Sequence, residues 1–251
     1  MKKNLLSIFA LISLISLGGC GNNEDSSIIS SSITTTSETS SQSTPDNLVE
    51  YKTTVLLPNG EKAANCQVQW CAGGMCKTAK TDSNGVATIM LEANDYTVHV
   101  LNYPEQYTCE LGFVATKDNR ELTISLVNLS TPTSGEGSVN NPYLVSAGAY
   151  FVTIETAGDI LYFGFNPEAV GNYKIESLYT SSLANPNVGY YGTDLSNLPA
   201  SPLTSDDDSG EDINFKLDFA VEDASSTYVF GVSASDFKKA KSFSFIIKSV
   251  D

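Results

Sequence analysis

From Leu48 onward apolar residues come in short alternating runs broken by turn-forming clusters, and no stretch holds a helical period. Alternation sends successive side chains to opposite faces of a strand, so each run has one face to bury and needs a second sheet to bury it against. Such a chain can satisfy itself only as layered sheets. The clearest strands are Thr54 to Leu57, Gln67 to Trp70, Val86 to Leu91, Thr97 to Leu101 and Leu122 to Val127, followed by Ala149 to Ile154, Ile160 to Phe165, Tyr173 to Leu178, Val188 to Tyr191, Ile213 to Val221, Thr227 to Ser233 and Ser242 to Lys248. Pro58-Asn59-Gly60 and Asp82-Ser83-Asn84-Gly85 are turns in which Gly60 and Gly85 supply positive φ. A composition break over 130–137 divides the strands into two groups. The expected fold is therefore all-β, with one β-sandwich over 47–129, a linker over 130–137 and a second sandwich over 138–251.

The 46 residues before the first sandwich read differently. Lys2 and Lys3 precede an apolar run from Leu5 to Leu17, then small residues reach Cys20, the order of a secretion signal. The apolar run is short for a spanning helix. Leu17-Gly18-Gly19-Cys20 resembles the lipobox of bacterial lipoproteins. That resemblance implies removal of residues 1–19, acylation of Cys20 and a protein held on the extracytoplasmic face of a cell membrane without crossing it. Between Gly21 and Asp46, 14 of 26 residues are Ser or Thr. Such a stretch has too little apolar surface to offset its ordering entropy and reads as a tether over 20–46.

Charge and histidine content narrow the chemistry. The net charge is -15, and losing Lys2 and Lys3 would leave 12 basic residues against 29 acidic ones. A surface of that sign repels phosphate backbones, so nucleic acid is not an expected partner. With His99 as the one histidine, paired-histidine metal sites are excluded and any Ser-His or Cys-His machinery would have to use it. His99 alternates away from Tyr96, Val98 and Val100, which places it on the surface side of its strand.

Setting Cys20 aside leaves Cys66, Cys71, Cys76 and Cys109, an even number in an exported chain and so expected as two disulfides. Strand parity favours one pairing. Cys66 shares a face with Val68 and Trp70, Cys109 shares one with Tyr107 and Leu111, and Cys71 points the other way. The loop Ala72-Gly73-Gly74-Met75 then sets Cys71 opposite Cys76. The expectation is Cys66 with Cys109 and Cys71 with Cys76. The Cys-x4-Cys-x4-Cys spacing does not match paired zinc knuckles.

Thr81-Asp82-Ser83-Asn84-Gly85-Val86-Ala87, Leu91, Tyr96-Thr97-Val98 and Pro104-Glu105-Gln106-Tyr107 resemble the prealbumin-like repeats of the collagen-adhesin B type and the carboxypeptidase regulatory domain. The resemblance spans about residues 48 to 128 and implies a seven-stranded transthyretin-like sandwich serving as stalk, spacer or adhesion module. Those repeats often carry a Lys-to-Asn isopeptide bond. Here Lys52 is out of phase with Val55 and Leu57, and it reads as a solvated lysine, with Asn128 as a turn residue. Gly135-x-Gly137, Asn141-Pro142-Tyr143 and the strand from Gly158 to Phe163 loosely resemble the opening of pre-peptidase C-terminal-type or carbohydrate-binding jelly rolls.

Two further features bear on ligands. Residues 206 to 212 place oxygen ligands around Gly210, so Asp206, Asp208 and Asp212 are candidate ligands of a weak calcium site, set against the plainer reading of a solvated loop. Aromatic residues crowd the second half, mostly as core, but Tyr190-Tyr191 sends one ring to each face and is the candidate ligand-binding pair. No nucleophile, base and orienting group can be named together, so no enzymatic activity is expected. The resulting expectation is a non-catalytic surface lipoprotein whose stalk presents a sandwich that binds an extracellular glycan or protein. The alternative is a structural spacer or envelope-assembly partner with no ligand site of its own.

Overall fold

The computed structural model describes residues 47–178, 184–211, 213–235 and 241–250; Cys20, the signal, most of the tether and Asp212 lie outside them. The described residues form eighteen strands in four sheets and contain no helix. The all-β sandwich architecture expected from alternation is what the chain adopts.

The first sandwich has seven strands. One sheet orders β4 (Val86–Glu92), β1 (Leu48–Leu56) and β8 (Glu121–Ser125), and the other orders β3 (Met75–Lys80), β2 (Gln67–Ala72), β5 (Tyr96–Asn102) and β7 (Phe113–Ala115). Inward residues from both sheets, among them Tyr51, Val55, Trp70, Val98 and Ile124, make one buried cluster. Lys52 faces outward, where its ammonium pairs with Glu50 at 2.7 Å. The turn before β4 follows its sequence: Asp82 Oδ1 accepts the N–H groups of Asn84 (2.8 Å) and Val86 (3.0 Å). Gly85 has φ +72°, and a Cβ there would stand 2.8 Å from the Val55 carbonyl oxygen, so this turn has no room for a side chain. The β2–β3 hairpin is tighter than the expected four-residue loop. Ala72 pairs with Met75, which leaves Gly73 and Gly74 as a two-residue turn, both at positive φ.

The second sandwich packs a five-stranded sheet on a six-stranded one. The first orders β10 (Tyr143–Val145), β12 (Leu161–Phe165), β17 (Tyr228–Ala234), β14 (Pro186–Gly192) and β15 (Thr204–Asp206). The second orders β16 (Lys216–Val221), β13 (Gly171–Ser177), β18 (Lys241–Ser249), β11 (Gly148–Ile154), β9 (Val127–Ser130) and β6 (Tyr107–Thr108). Between them lies a ring-rich cluster that includes Tyr150, Phe163, Phe165, Phe230, Phe243 and Phe245.

The two cores are separate clusters, yet one sheet serves both halves. Strands β6 and β9 come from the first half of the chain and extend the six-stranded sheet through the parallel pairing of Ala149 with Leu129 and Tyr150 with Ser130. A small third cluster, Ala149, Leu178 and Ile246 with Val127 and Leu129 against it, fills the outer side of this seam. Residues 130–137 are tied down by β10, where the Thr133 N–H donates to Leu144 O and the Leu144 N–H donates to Ser134 O (2.9 Å each). The described residues form one compact unit.

Candidate functional site

The seam carries a cleft of about 580 Å³, within the range of small-ligand sites. One wall is the end of β5 and the following turn, contributing Leu101, Asn102, Tyr103, Glu105 and Tyr107; the other is the outer face of β11 and β18, contributing Phe151, Ser242 and Ser244, with Leu129 between. The Pro104-x-x-Tyr107 sequence shapes the first wall, since the Tyr107 N–H donates to Pro104 O at 3.0 Å. Tyr103 is half-buried and its hydroxyl lies 3.4 Å from Thr108 Oγ1. Burial raises the Tyr103 phenol above its ordinary value, so it stays a neutral donor and acceptor.

Register explains the second wall. On β11, Tyr150, Val152 and Ile154 point into the core, so Phe151 and Thr153 point out. Phe151 sits opposite Ser244 and Thr153 opposite Ser242, with Thr153 Oγ1 and Ser242 Oγ 2.9 Å apart. Phe151 is 59% exposed, the one phenylalanine among the exposed large hydrophobic residues of the described chain. Sequence reasoning passed over it as one aromatic among many. The signal that could have found it is parity, since it is out of phase with three inward neighbours.

The expected ligand-binding tyrosines are packed. Tyr191 is 6% exposed, its ring 5.3 Å from that of Tyr162, and burial first, then the Tyr162 side chain, push its phenol up to about 12. Tyr190 is half-buried against Phe230 at 5.3 Å and Tyr228 at 6.3 Å. Neither ring stands free as a platform. Tyr191 does border a shallower depression of about 350 Å³ together with Asp206 and Asp207, over strands narrowed to glycine where Gly189 lies opposite Gly231.

In the acidic loop, Asp206 Oδ2 accepts the N–H groups of Lys216 at 2.8 Å and Ser209 at 3.2 Å. That oxygen closes the turn between β15 and β16. Among the described residues no three acidic, histidine or cysteine side chains converge on a point that would hold a metal ion. Asp208 is exposed, and Asp212 lies outside the described residues.

Glu211 leaves the loop and reaches the first sandwich. Its Oε2 accepts the Gly112 N–H at 3.1 Å, and its Oε1 lies 3.6 Å from His99 Nε2. His99 does face away from the first core, but it is 7% exposed because this loop covers it. Strand parity located the correct face, and the second half of the chain removed the solvent. Beside it, Lys248 of β18 pairs with Glu110.

One expected disulfide is present, Cys71 to Cys76, with Cα atoms 4.1 Å apart on paired residues of β2 and β3. The other is corrected: Cys66 and Cys109 are buried in the first core as free thiols. Parity placed both inside the same core, and there they remain unjoined. Burial raises the Cys66 thiol and pushes Cys109 up to about 12, which makes both poor nucleophiles.

No protein-family model matches the chain, and no curated protein matches it. Among solved structures it is similar to the Bacillus anthracis TIE protein, at 11% identity and TM-score 0.30 over 81% of this chain and 32% of that one. It is also similar to BcpA, the major pilin subunit of Bacillus cereus, at 12% identity and TM-score 0.29 over 80% and 59%. A third is a DUF3823 family protein from Parabacteroides merdae, at 8% identity and TM-score 0.25 over 74% and 98%. The chain thus spans about a third of the length of the first and three-fifths of the second.

Proposed function

We propose that this chain is a non-catalytic lipoprotein, anchored by acylated Cys20 on the extracytoplasmic face of a bacterial membrane, that displays a double β-sandwich as a binding body. The observation that carries the binding part is the cleft at the seam, where an exposed Phe151 stands in an opening bounded by both halves of the chain. An aromatic ring left in water forgoes its burial free energy, of order 2 kcal/mol, which a ligand covering it would recover. The anchor and tether rest on residues 1–46 alone: signal, lipobox and a Ser/Thr-rich stretch, in that order. The shared sheet fits such a display, because an anchor at Cys20 would then carry one body rather than two hinged ones. A base role for His99 is disfavoured by its burial against Glu211, which suits a structural latch. The spacer reading keeps the same anchor and differs only in giving the cleft no ligand.

Fractionation tests the anchor. Wild-type chain should partition with membranes and be digested by protease added to intact cells, whereas Cys20→Ala should appear in the soluble exported fraction. A membrane-bound Cys20→Ala variant, or a wild type protected from external protease, would overturn the assignment.

A further inference from the structure

We propose that the cleft at the seam binds a neutral polysaccharide, with one sugar ring stacked on the face of Phe151 and its hydroxyls bonded to the polar groups around it. This rests on the reading of the cleft as a binding surface and adds the class of ligand.

Three observations favour a sugar. The exposed ring lies on a sheet face bordered by small hydroxyl residues: Ser244, largely buried, directly across, and two residues along Thr153, whose hydroxyl meets that of Ser242. Such a surface alternates one flat apolar patch with small polar groups, as a sugar ring alternates C–H faces with hydroxyl edges. The face of an aromatic ring carries partial negative charge and attracts the weakly positive C–H groups of a sugar. The opposite wall supplies an amide and a carboxylate, Asn102 and Glu105, both exposed. Asn offers two donors and an acceptor, and a carboxylate accepts from two hydroxyls at once, so together they can read a diol.

Charge fixes the word neutral. Among the described residues Glu105 is the one charged side chain lining the cleft, and it belongs to a chain of net charge -15. An anionic polymer would be repelled both by the protein's overall field and by the site itself.

The test is affinity electrophoresis of the full chain, solubilised in a polyoxyethylene detergent that carries no sugar headgroup. The gels contain soluble xylan, mannan, glycogen or mixed-linkage β-glucan, with alginate as the anionic comparison. The proposal expects retardation by at least one neutral polymer and none by alginate. Phe151→Ala should weaken that retention at least tenfold, Phe151→Trp should keep it, and Asn102→Ala on the facing wall should weaken it at least threefold. Met75→Ala, at an exposed residue on the β2–β3 hairpin outside the cleft, should leave it unchanged. Melting curves of each variant show that the fold is intact, as expected for exposed positions. No retardation in any neutral gel, retention indifferent to both Phe151→Ala and Asn102→Ala, or retention by alginate alone would overturn the proposal. Phe151-dependent capture of a protein without retardation in the gels would also overturn it, while leaving the cleft as a binding surface. The anchor is read separately, by Cys20→Ala.

Discussion

The two sandwiches solve the same packing problem with different materials. Among the described residues, the buried cluster of the first holds three aromatic side chains, Tyr51, Trp70 and Tyr96, filled out by Val, Ala and Leu, with two buried thiols and a disulfide on the adjoining hairpin. The cluster of the second holds nine aromatic side chains and no cysteine, with ring pairs such as Phe163 and Phe245 at 4.9 Å and Phe219 and Phe230 at 4.8 Å. Rings bring more apolar area per residue, and edge-to-face pairs add about 0.5–1.5 kcal/mol beyond area. A core assembled from smaller side chains gains more from a covalent tie, because less apolar surface opposes the entropy of the chain. The difference teaches that covalent reinforcement and ring packing are exchangeable means within one molecule. The shared sheet means that neither half is expected to unfold alone.

The sharpest way to break this comparison is Phe245→Ala, which removes a fully buried ring that contacts Tyr150 and Phe163. A cost of about 3–5 kcal/mol is expected. The one tryptophan, Trp70, is buried in the first sandwich, so its fluorescence reports on that half alone. If the sheet couples the halves, Trp70 fluorescence and far-ultraviolet dichroism should give one coincident transition that the variant lowers for both probes. Two separated transitions would show the halves to be independent.

Next in size is the tie itself. Replacing Cys71 and Cys76 together with Ser opens a short loop, and the chain-entropy model gives a loss of about 2 kcal/mol. Peptide mapping should find Cys71 joined to Cys76, and iodoacetamide at pH 8 should leave Cys66 and Cys109 unlabelled until urea exposes them. A Cys66-to-Cys109 peptide would restore the pairing expected from parity and show that export oxidises the core.

Across the seam, Glu110→Gln removes the partner of Lys248, a pair whose side chains are about a third exposed. Solvent screens such a pair, so a loss below about 1 kcal/mol is expected in urea unfolding, and a much larger one would mean that the pair holds the halves together. The smallest expected effect is acid sensitivity of the exposed turns. Asp82 is held below the ordinary aspartate value chiefly by the Val86 N–H, Asp194 by the Ser196 hydroxyl and Asp223 by the Ser225 hydroxyl. A lowered folded-state value means that the folded chain binds the proton more weakly than the unfolded one. The contribution is therefore fully present above the ordinary aspartate range and is lost as pH falls through the depressed values. Asp82→Asn should reduce the acid-side slope of stability against pH; an unchanged slope would remove this turn from the account.

Much of this structure was legible locally. The strands expected from Val86, Thr97, Ala149, Tyr173 and Thr227 fall within two residues of where alternation puts them, and the Asp82 turn follows its turn chemistry. What local reading missed are the brief strands, β6, β7, β10 and β15, whose two or three residues are too few to show a period. The candidate site was legible only in part: parity could have exposed Phe151, but nothing in the local sequence says that the turn after Asn102 would face it. Tyr190 and Tyr191 are packed because their neighbours Tyr162, Tyr228 and Phe230 arrive from other strands, which local alternation does not show.

The sequence by itself determined the all-β class, which side of each long strand faces a core, and the Cys71–Cys76 tie, because each depends on neighbours a few residues apart. The tertiary structure decided that strands from both halves share a sheet, that Glu211 covers His99, that Cys66 and Cys109 lie in one core without joining, and that a cleft opens beside Phe151. All four bring together residues far apart in the chain, and period-2 alternation specifies a face but neither a partner nor a distance.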